Sequence, residues 1–156
     1  MTDPDRLQHA LDLAYRFLGH RDRTVAEVRE RLGAERVEEA VVDEAVEELR
    51  HLGYLDDARY AQRFAEDRRT IDAWGAERIE RRLLAVGIEP QLIAAALGEQ
   101  GTGEELEAAL AVLRRRFAQP PAHDRDRDRA LGLLVRKGYE LELAYDAVRA
   151  FERDAA

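Results

Sequence analysis

Cysteine, serine and asparagine are absent from these 156 residues, and Lys137 is the only lysine. The lack of cysteine removes any disulfide framework and any thiolate metal site. Together with the lack of serine it removes the serine, cysteine and lysine-Schiff-base nucleophiles, apart from that one lysine. The four histidines, His9, His20, His51 and His123, are scattered and form neither HxxxH nor HExxH, so no zinc-ligand spacing is present. No apolar run approaches the roughly 20 residues needed to cross a bilayer. The opening MTDPDRLQHA is acidic where a signal peptide carries a basic start and an apolar stretch. These absences point to a cytoplasmic protein that is not an enzyme, with no cofactor and no catalytic or metal-binding residue to nominate.

What is present is an echo. Val28, Leu32, Val37, Val41, Ala45 and Val46 recur fifty-one residues later as Ile79, Leu83, Ile88, Leu92, Ala96 and Leu97. They recur again, without a gap, as Ala130, Leu134, Tyr139, Leu143, Ala147 and Val148. A fixed period of this size marks stacked copies of one supersecondary unit. Such arrays present extended surfaces to partners more often than they enclose a catalytic pocket.

Apolar residues make up 46% of the chain and charged residues 37%, which suits amphipathic helices. Leu7, Leu11, Ala14, Tyr15 and Leu18 form a stripe of helical spacing, predicting a helix over about 5–19. Thr24-Val25-Ala26-Glu27 reads as a capping box that starts a second helix, with Gly33 as its left-handed end. A third follows over about 38–52, closed by Gly53. Asp56-Asp57 can cap the next helix, which carries Tyr60, Ala61, Phe64 and Ala65 inward. Helices over about 76–86 and from Pro90 to about Leu97 follow, with Val86 on the inner side of the former. The last three are expected over about 103–118, 126–137 and 141–153. Gly98-Glu99-Gln100-Gly101-Thr102-Gly103 and Gln119-Pro120-Pro121-Ala122-His123 break this order and are the two candidate joints. The expected architecture is all-α, three tandem three-helix repeats (residues 1–55, 56–100 and 101–156) in an elongated or crescent-shaped array.

Several motifs fail on inspection. Asp124-Arg125-Asp126-Arg127-Asp128-Arg129 opens like a calcium loop, but its sixth position is Arg129 and its twelfth Val135, where glycine and glutamate are required. It reads as an acidic helix start with charges alternating into solvent. Gly101-Thr102-Gly103 lacks the Lys-Ser/Thr of a phosphate loop. The third helix of each of the first two modules would have to enter the major groove in a helix-turn-helix reader. One carries Glu38, Glu39, Asp43, Glu44, Glu47 and Glu48, and the other, EPQLIAAALGEQ, has no basic residue.

The net charge of −8 argues against a general nucleic-acid coat. Residues 1–55 hold 13 acidic and 8 basic groups, for −5; residues 56–100 hold 9 and 7, for −2; residues 101–156 hold 11 and 10, for −1. Arginines cluster in the later two thirds, at Arg68 and Arg69, at Arg78, Arg81 and Arg82, and at Arg114, Arg115 and Arg116. Arg136 and Lys137 add a further basic pair. Arg78, Arg81 and Arg82 share one side of a helix. Two readings stand: solvated faces paired with nearby acids, or a docking surface for an acidic partner or a single-stranded DNA backbone. Trp74, the only tryptophan, is either a junction-packing residue or a partner contact.

LGHRDRTVAEVRERL, from Leu18 to Leu32, resembles the opening motif of the RecX regulatory proteins, L-x-x-R-x-x-S/T-x-x-E-L-x-x-x-L. LRHLGYLDDARYA, from Leu49 to Ala61, is similar to their central signature L-x-x-x-G-Y-L-D-D-x-R-F/Y-A. Trp74-Gly75 through Leu83, Gly87-Ile88 and Lys137-Gly138-Tyr139 extend the likeness over nearly the whole chain. The resemblance implies a modular three-helix-repeat fold and a bacterial negative regulator of the RecA recombinase. Such a regulator binds the groove of the RecA–single-stranded DNA filament and suppresses ATP hydrolysis and strand exchange. Single-stranded DNA is then a secondary partner, and the chain acts as a monomer. Gly53, Tyr54, Asp56 and Asp57 match the signature, and cap and turn chemistry gives them a structural reading first. The acidity of this chain shifts weight toward protein docking. A direct nucleic-acid binder acting without RecA and a helical-repeat adaptor remain the alternatives.

Overall fold

The structure, a computed structural model, describes residues 3–98 and 101–154. Among them the chain is all-α, with nine helices and no strand: α1 Pro4–Leu18, α2 Val25–Ala34, α3 Glu39–His51, α4 Asp57–Ile71, α5 Ala76–Ala85, α6 Pro90–Leu97, α7 Thr102–Arg116, α8 Asp124–Lys137 and α9 Leu141–Asp154. The starts of α3, α6 and α9 keep the fifty-one-residue step, as do those of α2 and α5. Of the two expected joints, Glu99 and Gln100 lie outside the described residues. The stretch Gln119–His123 separates α7 from α8 without helical structure.

Local chemistry accounts for the helix ends. The Asp3 carboxylate accepts the Asp5 backbone N–H at 3.0 Å ahead of Pro4, whose missing donor costs nothing in a first turn. The capping box of α2 is complete: the Thr24 hydroxyl accepts the Glu27 N–H at 3.1 Å, and the Glu27 carboxylate accepts the Thr24 N–H at 3.0 Å. The other end of α2 departs from expectation. Gly33 lies inside the helix, and the left-handed residue is Arg36, with φ 62°. The helix runs one residue past Gly33, and its closure is set by the hydrogen bonds Arg36 N–H to Gly33 C=O (2.9 Å) and Val37 N–H to Leu32 C=O (3.0 Å). This is a Schellman closure, in which the orphan carbonyls of the last turn are satisfied by the two residues beyond it.

The same closure recurs. Gly53, Gly87 and Gly138 are left-handed, with φ of 82°, 85° and 101°. Tyr54, Ile88 and Tyr139 donate back to the carbonyls of Leu49, Leu83 and Leu134 at 2.8, 3.0 and 3.1 Å. The echoed pairs Leu32/Val37, Leu83/Ile88 and Leu134/Tyr139 are therefore the two apolar partners of the Schellman motif, placed at the end of each middle helix. Of the echoed residues, Val37, Leu92 and Leu97 are half-buried and the rest are buried. Each fully buried Leu or Ile contributes about 1.5–3 kcal/mol.

Packing sorts the described residues into two compact units. The first comprises residues up to Gln62 together with Leu83–Ile93, and its core holds Ala10, Leu11, Ala14, Val28, Leu32, Val46 and Leu49 among others. Here the N-terminus of α2 meets the end of α5. The Thr24 hydroxyl donates to the Val86 carbonyl at 2.6 Å, and a Cβ on Gly87 would fall 2.3 Å from that of Ala26. Val86 is itself only half-buried and lies beyond α5, so its carbonyl matters here more than its side chain. The Asp57 carboxylate accepts the Val25 N–H at 3.0 Å. Burial pushes the Asp57 carboxyl above its ordinary value, with the Val25 N–H opposing.

The second unit comprises Arg63–Arg82 and residues from Ala94 on, with a core of Ala109, Leu113, Leu134, Tyr139, Ala147 and Val148 among others. Here the N-terminus of α5 meets the end of α8 by the same device. The N–H groups of Gly75, Ala76 and Glu77 donate to the Lys137 carbonyl (2.8 Å), the Glu105 carboxylate (2.8 Å) and the Gly138 carbonyl (3.0 Å). A Cβ on Gly138 would lie 2.3 Å from that of Arg78, and one on Gly75 2.5 Å from the Gly138 backbone.

Candidate basic interaction surface

All ten basic residues singled out in the sequence fall in the second unit. Five of them are engaged within it. Arg68 is paired with Asp72, and its guanidinium lies 5.8 Å from the Trp74 ring. Arg69 is half-buried and donates to the Leu97 carbonyl at 3.0 Å. Arg78 stacks on Trp74 at 4.0 Å and donates to the Arg136 carbonyl at 3.2 Å. Arg114 is paired with Asp154. Lys137 donates from Nζ to the Asp72 carbonyl at 2.8 Å. Trp74 also meets Phe64 edge-on, with ring centroids 6.0 Å apart. It is thus a half-buried packing centre carrying two arginines on its faces.

Arg81, Arg82, Arg115, Arg116 and Arg136 are exposed, and none forms an ion pair among the described residues. Of these, Arg116 and Arg136 are brought together. With Arg125, Arg129, Asp128, Phe117 and Leu133 they line a cavity of about 600 Å³. Arg115, Arg116 and Lys137 border a second one of about 270 Å³, with Ile71 and Asp72. Arg78 is not part of one face with Arg81 and Arg82 in practice, because its guanidinium is turned onto Trp74.

Arg125 and Arg129 were not singled out in the sequence, where they read as one half of an alternation with aspartates. The available signal was their spacing. Arg125, Arg129 and Arg136 sit four and seven residues apart, which places them on one side of α8. Gly132 shares that side, and the Arg136 guanidinium lies 3.1 Å from the place its Cβ would take.

The signature residues hold turns together. The Gly53 carbonyl accepts from Arg59 at 2.9 Å, and Asp56 accepts the Arg59 N–H at 3.0 Å at the start of α4. Tyr54 is exposed and meets the Tyr15 ring edge-on at 5.3 Å. Among the described residues no cluster of three or more His, Asp or Glu is disposed to hold a metal ion. No helix among them is long and apolar enough to cross a membrane.

Paired helix junctions repeated at a fixed interval, with a surface of unneutralised arginines, define an all-α helical-repeat array of three-helix motifs. The family model described as "RecX, first three-helix domain" matches residues 10–49, and that described as "RecX, second three-helix domain" matches residues 56–97. The chain belongs to the RecX family. It is 37% identical over 147 residues to the regulatory protein RecX of Trichlorobacter lovleyi, covering 92% of this chain and 96% of that protein. It is 34% identical over 145 residues to the regulatory protein RecX of Thermus thermophilus, covering 93% and 94%. Against the Lactobacillus delbrueckii protein of the same name the identity is 35% over 116 residues, 70% of this chain and 43% of that one, so the chain spans less than half of that relative. The crystal structure of RecX from Lactobacillus salivarius shares the fold at a TM-score of 0.83, with 18% identity over 96% of this chain and 98% of that one.

Proposed function

We propose that this chain is a negative regulator of the RecA recombinase, docking in the groove of the RecA–single-stranded DNA filament and suppressing its ATPase and strand exchange. The observation that carries this reading is the set of exposed arginines without acid partners in the second unit, on a chain of the RecX family. Guanidinium groups left unneutralised by their own fold are free to pair with carboxylates or phosphates of a partner. The regulator works as a cytoplasmic monomer of three repeats, 1–55, 56–100 and 101–156, with neither cofactor nor catalytic group, and single-stranded DNA is its secondary contact. The test is RecA ATPase on single-stranded DNA with and without the protein. Wild type lowers the rate, and Arg81→Glu with Arg82→Glu relieves the inhibition at unchanged helicity. Arg78 is left in place because it packs on Trp74. An ATPase rate indifferent to the wild-type protein overturns the reading.

One observation favours a second reading, direct nucleic-acid binding without RecA: four arginines line a single cavity. Tight binding of labelled single-stranded DNA at physiological salt, with no effect on RecA, selects it.

A further inference from the structure

We propose that Arg36 and Asp124 are stops: they close the two unmatched halves of the repeat junction and keep this chain from docking through that junction on a second copy of itself.

The junction has the same parts in both places where it forms. One half is the N-terminus of a middle helix, whose first N–H, from Val25 in α2 and from Ala76 in α5, donates to a carboxylate. The receiving half belongs to the following repeat. It combines that carboxylate, Asp57 or Glu105 in the first turn of α4 or α7, with the left-handed glycine that ends α5 or α8, Gly87 or Gly138. The residue just before the glycine offers its carbonyl: Val86 accepts from the Thr24 hydroxyl, and Lys137 from the Gly75 N–H.

Three repeats joined by two such junctions leave over one half of each kind. The receiving half of the first repeat has all its parts. Asp5 in the first turn of α1, with Glu35 and the left-handed Arg36 after α2, lines a cavity of about 400 Å³ whose apolar side is Val37 and Val41. The donor half left over is the start of α8, which has no side-chain cap at His123 and opens on Asp124. Two different halves that fit one another join copies into open chains. Repeat arrays therefore end in atypical, capping repeats.

The two leftover halves differ from the matched ones at the residues that would bar contact. At Gly87 and Gly138 the incoming helix lies so near that an added Cβ would stand 2.3 Å from that of Ala26 or Arg78. Arg36 carries that Cβ. It is exposed and holds a φ of 62°, which glycine adopts without strain, so the strain that is kept points to a use for the side chain. On the donor half, Asp124 takes the first helical position that Val25 and Ala76 hold in the matched halves. Its carboxylate would be brought against that of Asp5, and like charges at such range repel. One half is closed by bulk and the other by charge.

Sedimentation velocity of the purified protein tests this with no RecA present, so its failure is separate from failure of the filament reading. Wild type is expected to keep a single monomer mass as its concentration is raised. Arg36→Gly with Asp124→Ala removes both stops, and the average mass then climbs with concentration and falls again on dilution. Arg36→Ala with Asp124→Ala makes the same charge changes but keeps a Cβ at the contact, and it stays monomeric. Arg36→Gly with Asp124→Pro removes the donor N–H as well, at a first helical position of the kind Pro4 and Pro90 already fill in this chain. That variant associates about tenfold or more weakly than the one with Asp124→Ala, since a hydrogen bond to a carboxylate is lost. Both positions are exposed, so helicity stays at the wild-type level in every variant. A wild type that associates overturns the proposal. So does a monomeric Arg36→Gly, Asp124→Ala protein, or equal association with Arg36→Ala in place of Arg36→Gly.

Discussion

Arg36 occupies the place that Gly87 and Gly138 hold at the ends of the other two middle helices. Its φ of 62° puts an L side chain in a region where it costs about 1–2 kcal/mol. At positions 87 and 138 a side chain is sterically barred, since Ala26 and Arg78 approach to 2.3 Å of an added Cβ. At position 36 the residue is exposed, and the arginine is tolerated at the expense of backbone strain alone. Arg36→Gly is therefore expected to stabilise the protein by about 0.5–1 kcal/mol, the strain relieved less the extra freedom glycine gains when unfolded. Urea denaturation measures it, and a lower midpoint for the glycine variant contradicts the account. This position also shows where sequence reading stops. Gly33 is the nearest glycine and suggests the helix end, whereas the end is fixed by where Leu32 and Val37 can bury together. The capping box at Thr24 is legible because its partners lie three residues apart. The second bond of the same hydroxyl, to Val86, is not, because it crosses 62 residues.

At the scale of elements, the echo describes a joint as much as a core. Donors at Val25 and Ala76, fifty-one residues apart, are met by carboxylates at Asp57 and Glu105, forty-eight apart. The acceptor of the second junction therefore stands three residues short of the fifty-one-residue step that its donor keeps. The apolar periodicity makes the helices readable; the carboxylates read as surface charge because nothing local distinguishes them from their neighbours. Tyr139 tests this joint. Its hydroxyl donates to the Ala73 carbonyl at 2.8 Å, and its pKa is pushed up to about 12, chiefly by burial, with the Glu105 carboxylate adding and Arg69 opposing. The neutral phenol is thus favoured in the folded state. Its contribution is whole below the unfolded value of about 10 and is lost as pH rises from there through about 12. Tyr139→Phe is expected to lower stability near neutrality by about 0.5–1.5 kcal/mol through the lost hydrogen bond. The same variant should show a shallower decline between pH values of about 10 and 12. Parallel alkaline slopes for the two proteins in denaturant titrations would remove Tyr139 as the titrating group.

For the molecule as a whole, charge is divided unequally. The first unit holds 16 acidic and 9 basic residues, for −7, and the second 17 and 16, for −1. Net charge alone predicts repulsion from any anionic filament or strand, and screening by salt would then improve binding. Local contact predicts the opposite, because each arginine that meets a phosphate releases a condensed counterion, and affinity falls with salt by about 0.7 log units per contact per log unit of salt for a single strand. Four cavity arginines set an upper slope of about −3, and Arg125→Glu with Arg129→Glu should reduce its magnitude by about 1.4. Anisotropy of a labelled oligothymidylate between about 50 and 300 mM salt decides which description governs. Affinity that rises with salt would mean that the −8 of the whole chain outweighs the arginines of its second unit. A falling affinity whose slope shrinks in the double variant would place recognition in the few guanidinium groups that the fold leaves without partners.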